Sequence, residues 1–274
     1  MLAIHLPKGK ATRNNPFSGR PLPSGGRADW IDWLDAFSCL FFPSPCRVCE
    51  GPLFSHRSLI CGKCWDSICL IDPPLCHCCG IPFPSAEGQS FPSQFLCGTC
   101  RMEESSFYQA RSVGLYAGAL REAIHLFKYG KRQELARHLG RLMLDHFPEE
   151  WAPSDIDLLL PIPLHTRRRR ERGFNQSLLL AKFLAGPFQF KLDGRQLLRS
   201  RPTLPQSDLP LRQRFENLHG AFAVRSPQRI EGKNILLIDD IYTSGATTQE
   251  ASRTLLRAGA SKVYVYTLAR SVLN

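Results

Sequence analysis

Beyond residue 107 the chain alternates short aliphatic runs with stretches of helical apolar spacing. They read "ARSVGLY", "ALREAIHLFKY", "QELARHLGRLMLDHF", "DLLLPIP", "NQSLLLAKFLA", "NILLID", "TTQEASRTLLRAG" and "KVYVYTLA". An unbroken aliphatic run suits a strand covered on both faces, and a 3.6-residue period suits an amphipathic helix. The alternation predicts βαβ units, and so an α/β fold with a largely parallel sheet flanked by helices. In "QELARHLGRLML" the period passes through Leu135, Leu139 and Leu142 with Met143 beside them, which marks core residues. After "NILLID" a helix is predicted to begin near Thr247 and to end before Gly259, a natural C-cap.

The earlier part of the chain has no such pattern; its regularity lies in cysteine. All 11 cysteines fall between Cys39 and Cys100, and eight form C-x-x-C pairs: "CRVC", "CGKC", "CHCC" and "CGTC". Two such pairs can present four thiolates to one zinc ion, and this spacing, joined to a long cysteine-free chain, favours metal over a disulfide framework. Sequential pairing gives Cys46, Cys49, Cys61 and Cys64 for one site and Cys76, Cys79, Cys97 and Cys100 for the other; interleaved pairing stays open. Cys39, Cys69, Cys78, His56 and His77 are left over, and Cys78 offers "CHCC" a second phase. With prolines at 73, 74, 82, 84 and 92 this segment can build little core without metal, so the zinc is expected to be structural. The pattern divides the chain into a flexible basic tail (1–29), a small double zinc ribbon (30–105) and a larger α/β domain (106–274).

At 274 residues and 43% hydrophobic composition, the chain can bury a proper core. The strongest early apolar run, "SCLFF", is far short of the roughly 18 residues a membrane span needs, so no membrane insertion is expected. The tail carries Lys8, Lys10, Arg13, Arg20 and Arg27 without an apolar segment after them, which is not a secretory signal; the expected compartment is the reducing cytoplasm. The formal charge is +11. Each zinc with four thiolates carries −2, so two sites leave about +7, a balance that suits phosphorylated ligands or nucleic acid.

Two stretches carry candidate chemistry. In "KNILLIDDIYTSGATTQEAS" a strand ends in Asp239 and Asp240 and turns through Thr243, Ser244, Gly245, Ala246 and Thr247 into a helix. Ligands of open α/β sheets bind at that edge, and unpaired N–H groups at a helix start suit a phosphate. Carboxylates accept hydrogen bonds from vicinal hydroxyls and tolerate a nearby magnesium ion. The loop lacks both the lysine of a Walker A motif and a G-x-G-x-x-G fingerprint. In "DLLLPIPLHTRRRRERGFNQ" a strand runs into His165, Arg167, Arg168, Arg169, Arg170 and Arg172, followed by a helix opening at about Asn175. Fixed guanidinium groups there would stabilise a leaving diphosphate; a solvated basic turn is the plainer alternative. Residues 201–222, "RPTLPQSDLPLRQRFENLHGAF", have no strong period and read as a mobile loop able to close over a sugar phosphate.

The acid pair and its turn resemble the signature loop of the type I phosphoribosyltransferases, whose ligand is 5-phosphoribosyl 1-diphosphate (PRPP). The four knuckles, "FKYGKRQELA", "PIPLHTRRRRERGFNQ", the series Thr203, Gln206, Leu209, Arg214 and Asn217, and "LLIDDIYTSGAT" together resemble the ComF-type proteins over about residues 30–270. The resemblance implies a double zinc ribbon joined to a type I phosphoribosyltransferase domain, and a link to natural competence, the uptake of single-stranded DNA. By that likeness Asp239 and Asp240 would hold the ribose hydroxyls and Thr243 to Thr247 the 5-phosphate. His165, Arg167 and Arg172 are candidates for the diphosphate side, with Lys128 able to reach the phosphates or to stand on a helix surface.

Three functions remain open at this level. The first is magnesium-dependent transfer of phosphoribose from PRPP to a nitrogen nucleophile. The second is a single-stranded DNA-binding competence factor in which PRPP only regulates. The third is a zinc-ribbon scaffold that docks a partner such as a competence helicase on a non-catalytic transferase fold. The acceptor has no readable side-chain code, and a homodimer is implied by resemblance alone.

Overall fold

The computed structural model describes residues 44–53, 58–84, 92, 94–130, 132–204 and 209–272. The basic tail, Cys39, His56 and Gln206 lie outside the described residues. The chain forms two compact units, residues 1–69 with 117–123 and residues 70–116 with 124–274. In the first unit the strands Ser44–Pro45 and Pro52–Leu53 pair antiparallel, and Cys61 opens the short helix Gly62–Asp66.

The second unit is built on a parallel four-stranded sheet of β1 (Gln109–Leu115), β2 (Leu158–Pro161), β5 (Asn234–Tyr242) and β6 (Lys262–Arg270), in the order β1-β6-β5-β2. The aliphatic runs of β5 and β6 lack alternation because both strands are interior: Leu236, Leu237, Ile238, Val265 and Leu268 are fully buried. Helix α1 (Gly118–Tyr129) follows β1 and helix α2 (Leu135–Asp145) precedes β2. Helix α2 buries Leu135, Leu139, Leu142 and Met143, the face its period predicts. Tyr266 of β6 pins that helix, donating its hydroxyl to the carbonyls of Met143 at 2.8 Å and His146 at 2.7 Å. Helix α4 (Gln176–Ala185) crosses α2 at Gly140, where a Cβ would lie 2.4 Å from the Phe183 ring. Its start agrees with expectation, since the Asn175 side chain accepts the Ser177 N–H at 3.1 Å as an N-cap.

Two stretches differ from the sequence reading. The arginine run is not an open turn: Thr166–Arg172 is a short helix, α3, ended by Gly173 in the left-handed conformation at φ 81°. The 201–222 stretch, expected to be a mobile loop, contains helix α5 (Leu211–Leu218), set between the antiparallel strands β3 (Leu197–Arg199) and β4 (Phe222–Val224). Its apolar residues Leu211, Phe215 and Leu218 keep a helical i, i+4, i+7 spacing, but they are only three and follow prolines at 202, 205 and 210, which favour reading the stretch as a loop. The helix is anchored at its end, where Leu218 is fully buried. Its polar side chains close the segment: Asn217 exchanges hydrogen bonds with the backbone N–H and carbonyl of Leu204, both at 3.1 Å, and Arg214 donates to the Leu209 carbonyl at 2.9 Å.

Candidate ligand site at the carboxyl end of the sheet

Strand β5 runs further than "NILLID" suggests. Strand β2 stops at Pro161, opposite Ile238, while β6 continues beside β5 and pairs Asp239 with Thr267, Ile241 with Ala269 and Tyr242 with Arg270. Asp239 and Asp240 therefore project past the end of one neighbour, at the carboxyl edge where such sheets take ligands. The turn that follows is closed from below. Gly245 has φ 80°, and a Cβ there would sit 2.4 Å from the Tyr242 hydroxyl, so both conformation and space require glycine. Its carbonyl accepts from the Thr248 hydroxyl at 2.9 Å and from the Gln249 N–H at 2.8 Å. Gly245 is the N-cap of α6 (Ala246–Arg257), and the Ala246 N–H points to Ser244 Oγ at 3.5 Å.

The two carboxylates are held differently. Asp240 is buried, and the ammonium group of Lys128, at the end of α1, lies 2.8 Å from its Oδ1. Lys128 is thus committed to the acid pair rather than standing on an open helix surface. Asp239 Oδ1 accepts the Ser177 hydroxyl at 3.0 Å and the Asp240 N–H at 2.9 Å. Burial first, and the neighbouring Asp240 charge second, push the Asp239 carboxyl up to about 7, against the pull of Lys128 and both hydrogen bonds. A ligand hydroxyl or a cation that stabilises the ionised form would relieve that cost.

Several guanidinium groups come close enough to one another and to Asp239 to interact electrostatically. Arg199 in β3 is lowered to about 10 by burial first, then by the charge of Arg168; Asp239 acts against the shift, while Arg201 and Arg172 add to it. The group stays cationic at neutral pH, and its Nε is buried without a hydrogen-bond partner. Its Nη2 donates to Thr203 Oγ1, and the guanidinium lies over the Phe222 ring at 5.5 Å. Arg172 donates to Gln176 Oε1 at 3.2 Å and stacks on Tyr129 at 5.1 Å.

The contacts of the remaining two candidates are local to α3. His165 is the N-cap of α3, accepting the Arg167 N–H at 3.4 Å. Arg167 is turned to solvent and pairs with Glu171 at 3.2 Å. Sequence reasoning misses Ser177 and Arg199. Ser177 is legible in principle, since it stands two residues after a helix-capping Asn. Arg199 is not, because it joins the site only through the pairing of two three-residue strands distant in sequence, opposite Phe222.

The cysteines form the two sequential quartets. The four Sγ atoms lie within 4.8 Å of one another in Cys46, Cys49, Cys61 and Cys64, and likewise in Cys76, Cys79, Cys97 and Cys100. In each, the amide that opens the following helix donates to the first sulfur: Cys61 to Cys46 Sγ and Cys97 to Cys76 Sγ, both at 3.3 Å. Four sulfurs so gathered, without an oxygen ligand, fit tetrahedral structural zinc.

Comparison with known proteins agrees with this arrangement. The double zinc ribbon domain matches residues 37–101. The DNA utilization protein YhgH of Escherichia coli K12 is 32% identical over 236 residues, covering 85% of this chain and all of the relative. Competence protein ComFC of Bacillus subtilis is 32% identical over 220 residues, covering 77% of this chain and 84% of the relative. Among solved structures, adenine phosphoribosyl transferase from Trypanosoma brucei aligns with 53% of this chain and 68% of its own at 13% identity. Its TM-score of 0.34 is too low to carry an argument. Two relatives matched at this identity along most of their length, together with the zinc ribbon, place the chain in the ComF family.

Proposed function

We propose that this chain binds PRPP with magnesium at the carboxyl end of β5 and transfers its phosphoribosyl group to a nitrogen nucleophile, in a process tied to DNA uptake. One observation carries the reading: the acid pair Asp239 and Asp240 leads, after two residues, into a glycine-bent turn at the start of α6. Such a turn offers backbone N–H groups to a 5-phosphate, while the carboxylates accept from ribose hydroxyls beside it. Thr243, Ser244, Gly245, Ala246 and Thr247 line that turn. Arg172, Arg199 and Arg168 would retain the diphosphate, a role supported by their electrostatic interaction with one another and of Arg199 with Asp239, while Arg167 faces solvent and His165 serves α3 as its cap.

In the reaction the bond from ribose C1 to the diphosphate oxygen breaks with its electron pair leaving on diphosphate, a C1–N bond forms, and the proton lost by the nitrogen passes to the released diphosphate or to water. Magnesium, when bound, neutralises part of the diphosphate charge. The chain's own groups fix the sugar and meet the charge that develops on the leaving oxygen, so alignment and electrostatics supply the rate. The competence link draws on the relatives, one named a DNA utilization protein and one a competence protein. Single-strand binding as the main activity is less well supported, because Phe174 is buried and Tyr129, the exposed aromatic beside the arginine run, is already stacked on Arg172.

Calorimetric titration of the zinc-loaded protein with PRPP and magnesium tests the proposal. Wild-type protein should bind, and Asp239→Ala with Asp240→Ala should abolish the heat. A folded wild type that takes up no PRPP overturns the reading.

A further inference from the structure

Arg270, the last residue of β6, is 6% exposed. An arginine keeps its charge when enclosed, and a buried charge without a counter-charge is strongly destabilising. Among the described residues no carboxylate forms an ion pair with it. Its Nη1 donates instead to the Cys79 carbonyl at 2.6 Å, and its Nη2 reaches Cys79 Sγ at 3.5 Å. Cys79 belongs to the quartet of Cys76, Cys97 and Cys100, and four thiolates around one zinc carry a net −2. The missing counter-charge of Arg270 is therefore the second zinc site.

The other face of the same guanidinium lies 4.3 Å over the ring of Tyr242. That ring is the floor of the candidate phosphate turn, its hydroxyl standing where a side chain on Gly245 would be. Cysteine quartet, guanidinium, phenol ring and turn are thus four groups joined by three consecutive contacts within one compact unit. We propose that Arg270 is a positioning residue, which balances the charge of the second zinc site and holds Tyr242 beneath the phosphate turn. The zinc half stands on the contacts alone; the ligand half rests on the PRPP reading above.

The full chain, zinc-loaded, is compared with Arg270→Met and Arg270→Lys. Zinc release to a chromophoric chelator is followed per equivalent, the thiolate-to-metal bands of the cobalt-substituted protein are recorded, and PRPP with magnesium is titrated calorimetrically. Partners of a metal ligand commonly contribute about 10–100-fold to metal affinity. Arg270→Met should yield one of two zinc equivalents at correspondingly lower chelator concentration, shift the cobalt bands of that site, and weaken PRPP at least several-fold. Arg270→Lys should restore zinc retention but not PRPP affinity, since an ammonium group does not stack on Tyr242 as a planar guanidinium does.

Wild-type zinc retention and unshifted bands in folded Arg270→Met overturn the proposal, as does full PRPP affinity once its zinc is weakened. If Arg270→Met does not fold, Arg270→Lys decides: retained zinc with weakened PRPP supports the proposal, and wild-type affinity for PRPP overturns it. If the wild type itself binds no PRPP, the proposed function fails and with it the ligand half, while the zinc and cobalt measurements still decide the counter-charge.

Discussion

The two cysteine quartets use one local design in different surroundings. In the first, the Cys46 N–H donates to the Gly51 carbonyl at 2.8 Å and the Glu50 N–H to the Cys46 carbonyl at 2.9 Å. In the second, the Cys76 N–H donates to Ile81 and the Gly80 N–H to Cys76, both at 2.9 Å. The fifth residue of each turn has positive φ, 60° at Glu50 and 70° at Gly80. Glu50 is exposed there, whereas a Cβ on Gly80 would meet the Ala110 carbonyl oxygen at 2.4 Å. The second turn is also stitched to the sheet, with the Ala110 N–H on the Cys78 carbonyl at 2.7 Å and Arg111 Nη1 on the His77 carbonyl at 3.1 Å. The metal turn tolerates a side chain, so it is the packing against β1 that excludes one. A zinc knuckle has become part of the core of the unit that carries the acid pair.

Breaking a zinc ligand separates the two most sharply. Cys79 is 6% exposed and Cys79→Ser removes a thiolate from the quartet packed on the sheet, so the amides of β5 and β6 should lose most of their hydrogen-exchange protection. Cys49 is exposed, and Cys49→Ser should leave that protection near wild type. The turn glycine comes next. Gly80→Ala adds a collision to a left-handed backbone and should cost roughly 3 kcal/mol or more in denaturant unfolding. Glu50→Ala, at a position already held by a side chain, should stay within about 0.5 kcal/mol.

The effect that depends on pH belongs to the acid pair at the far end of the contacts. A carboxyl raised to about 7 favours the folded state while protonated, an advantage complete below its ordinary 3.8 and lost as pH rises through 7. Asp239→Asn has no charge to bury. It should melt above wild type at pH 8, by roughly 2–4 °C for each kcal/mol relieved, with the difference vanishing towards pH 4.

Much of this architecture is legible in the amino-acid sequence alone. The aliphatic runs mark β5 and β6 because interior parallel strands are apolar on both faces, and the C-x-x-C spacing marks the ligand pairs, though only the fold decides which two pairs gather. The acid pair and its turn stand out because a strand end, two carboxylates and a helix start coincide within nine residues, 239 to 247. What stays hidden depends on contacts distant in sequence. Arg270 reads as the last residue of a strand, and only its contact with Cys79, with no carboxylate paired to it among the described residues, makes it more. Helix α5 has only Leu211, Phe215 and Leu218 at helical spacing, inside a stretch punctuated by proline, and the role of Lys128 emerges only from the 2.8 Å that separates it from Asp240.

Whether the turn between β5 and α6 cradles a phosphate can be read from amide chemical shifts of the zinc-loaded chain, followed while ribose 5-phosphate is added. Saturable shifts are expected, largest at Ser244, Gly245, Ala246 and Thr247, with smaller ones at Asp239 and Asp240. Shifts confined to the arginines of α3, or none in that turn at saturating ligand, would contradict a phosphate cradle there.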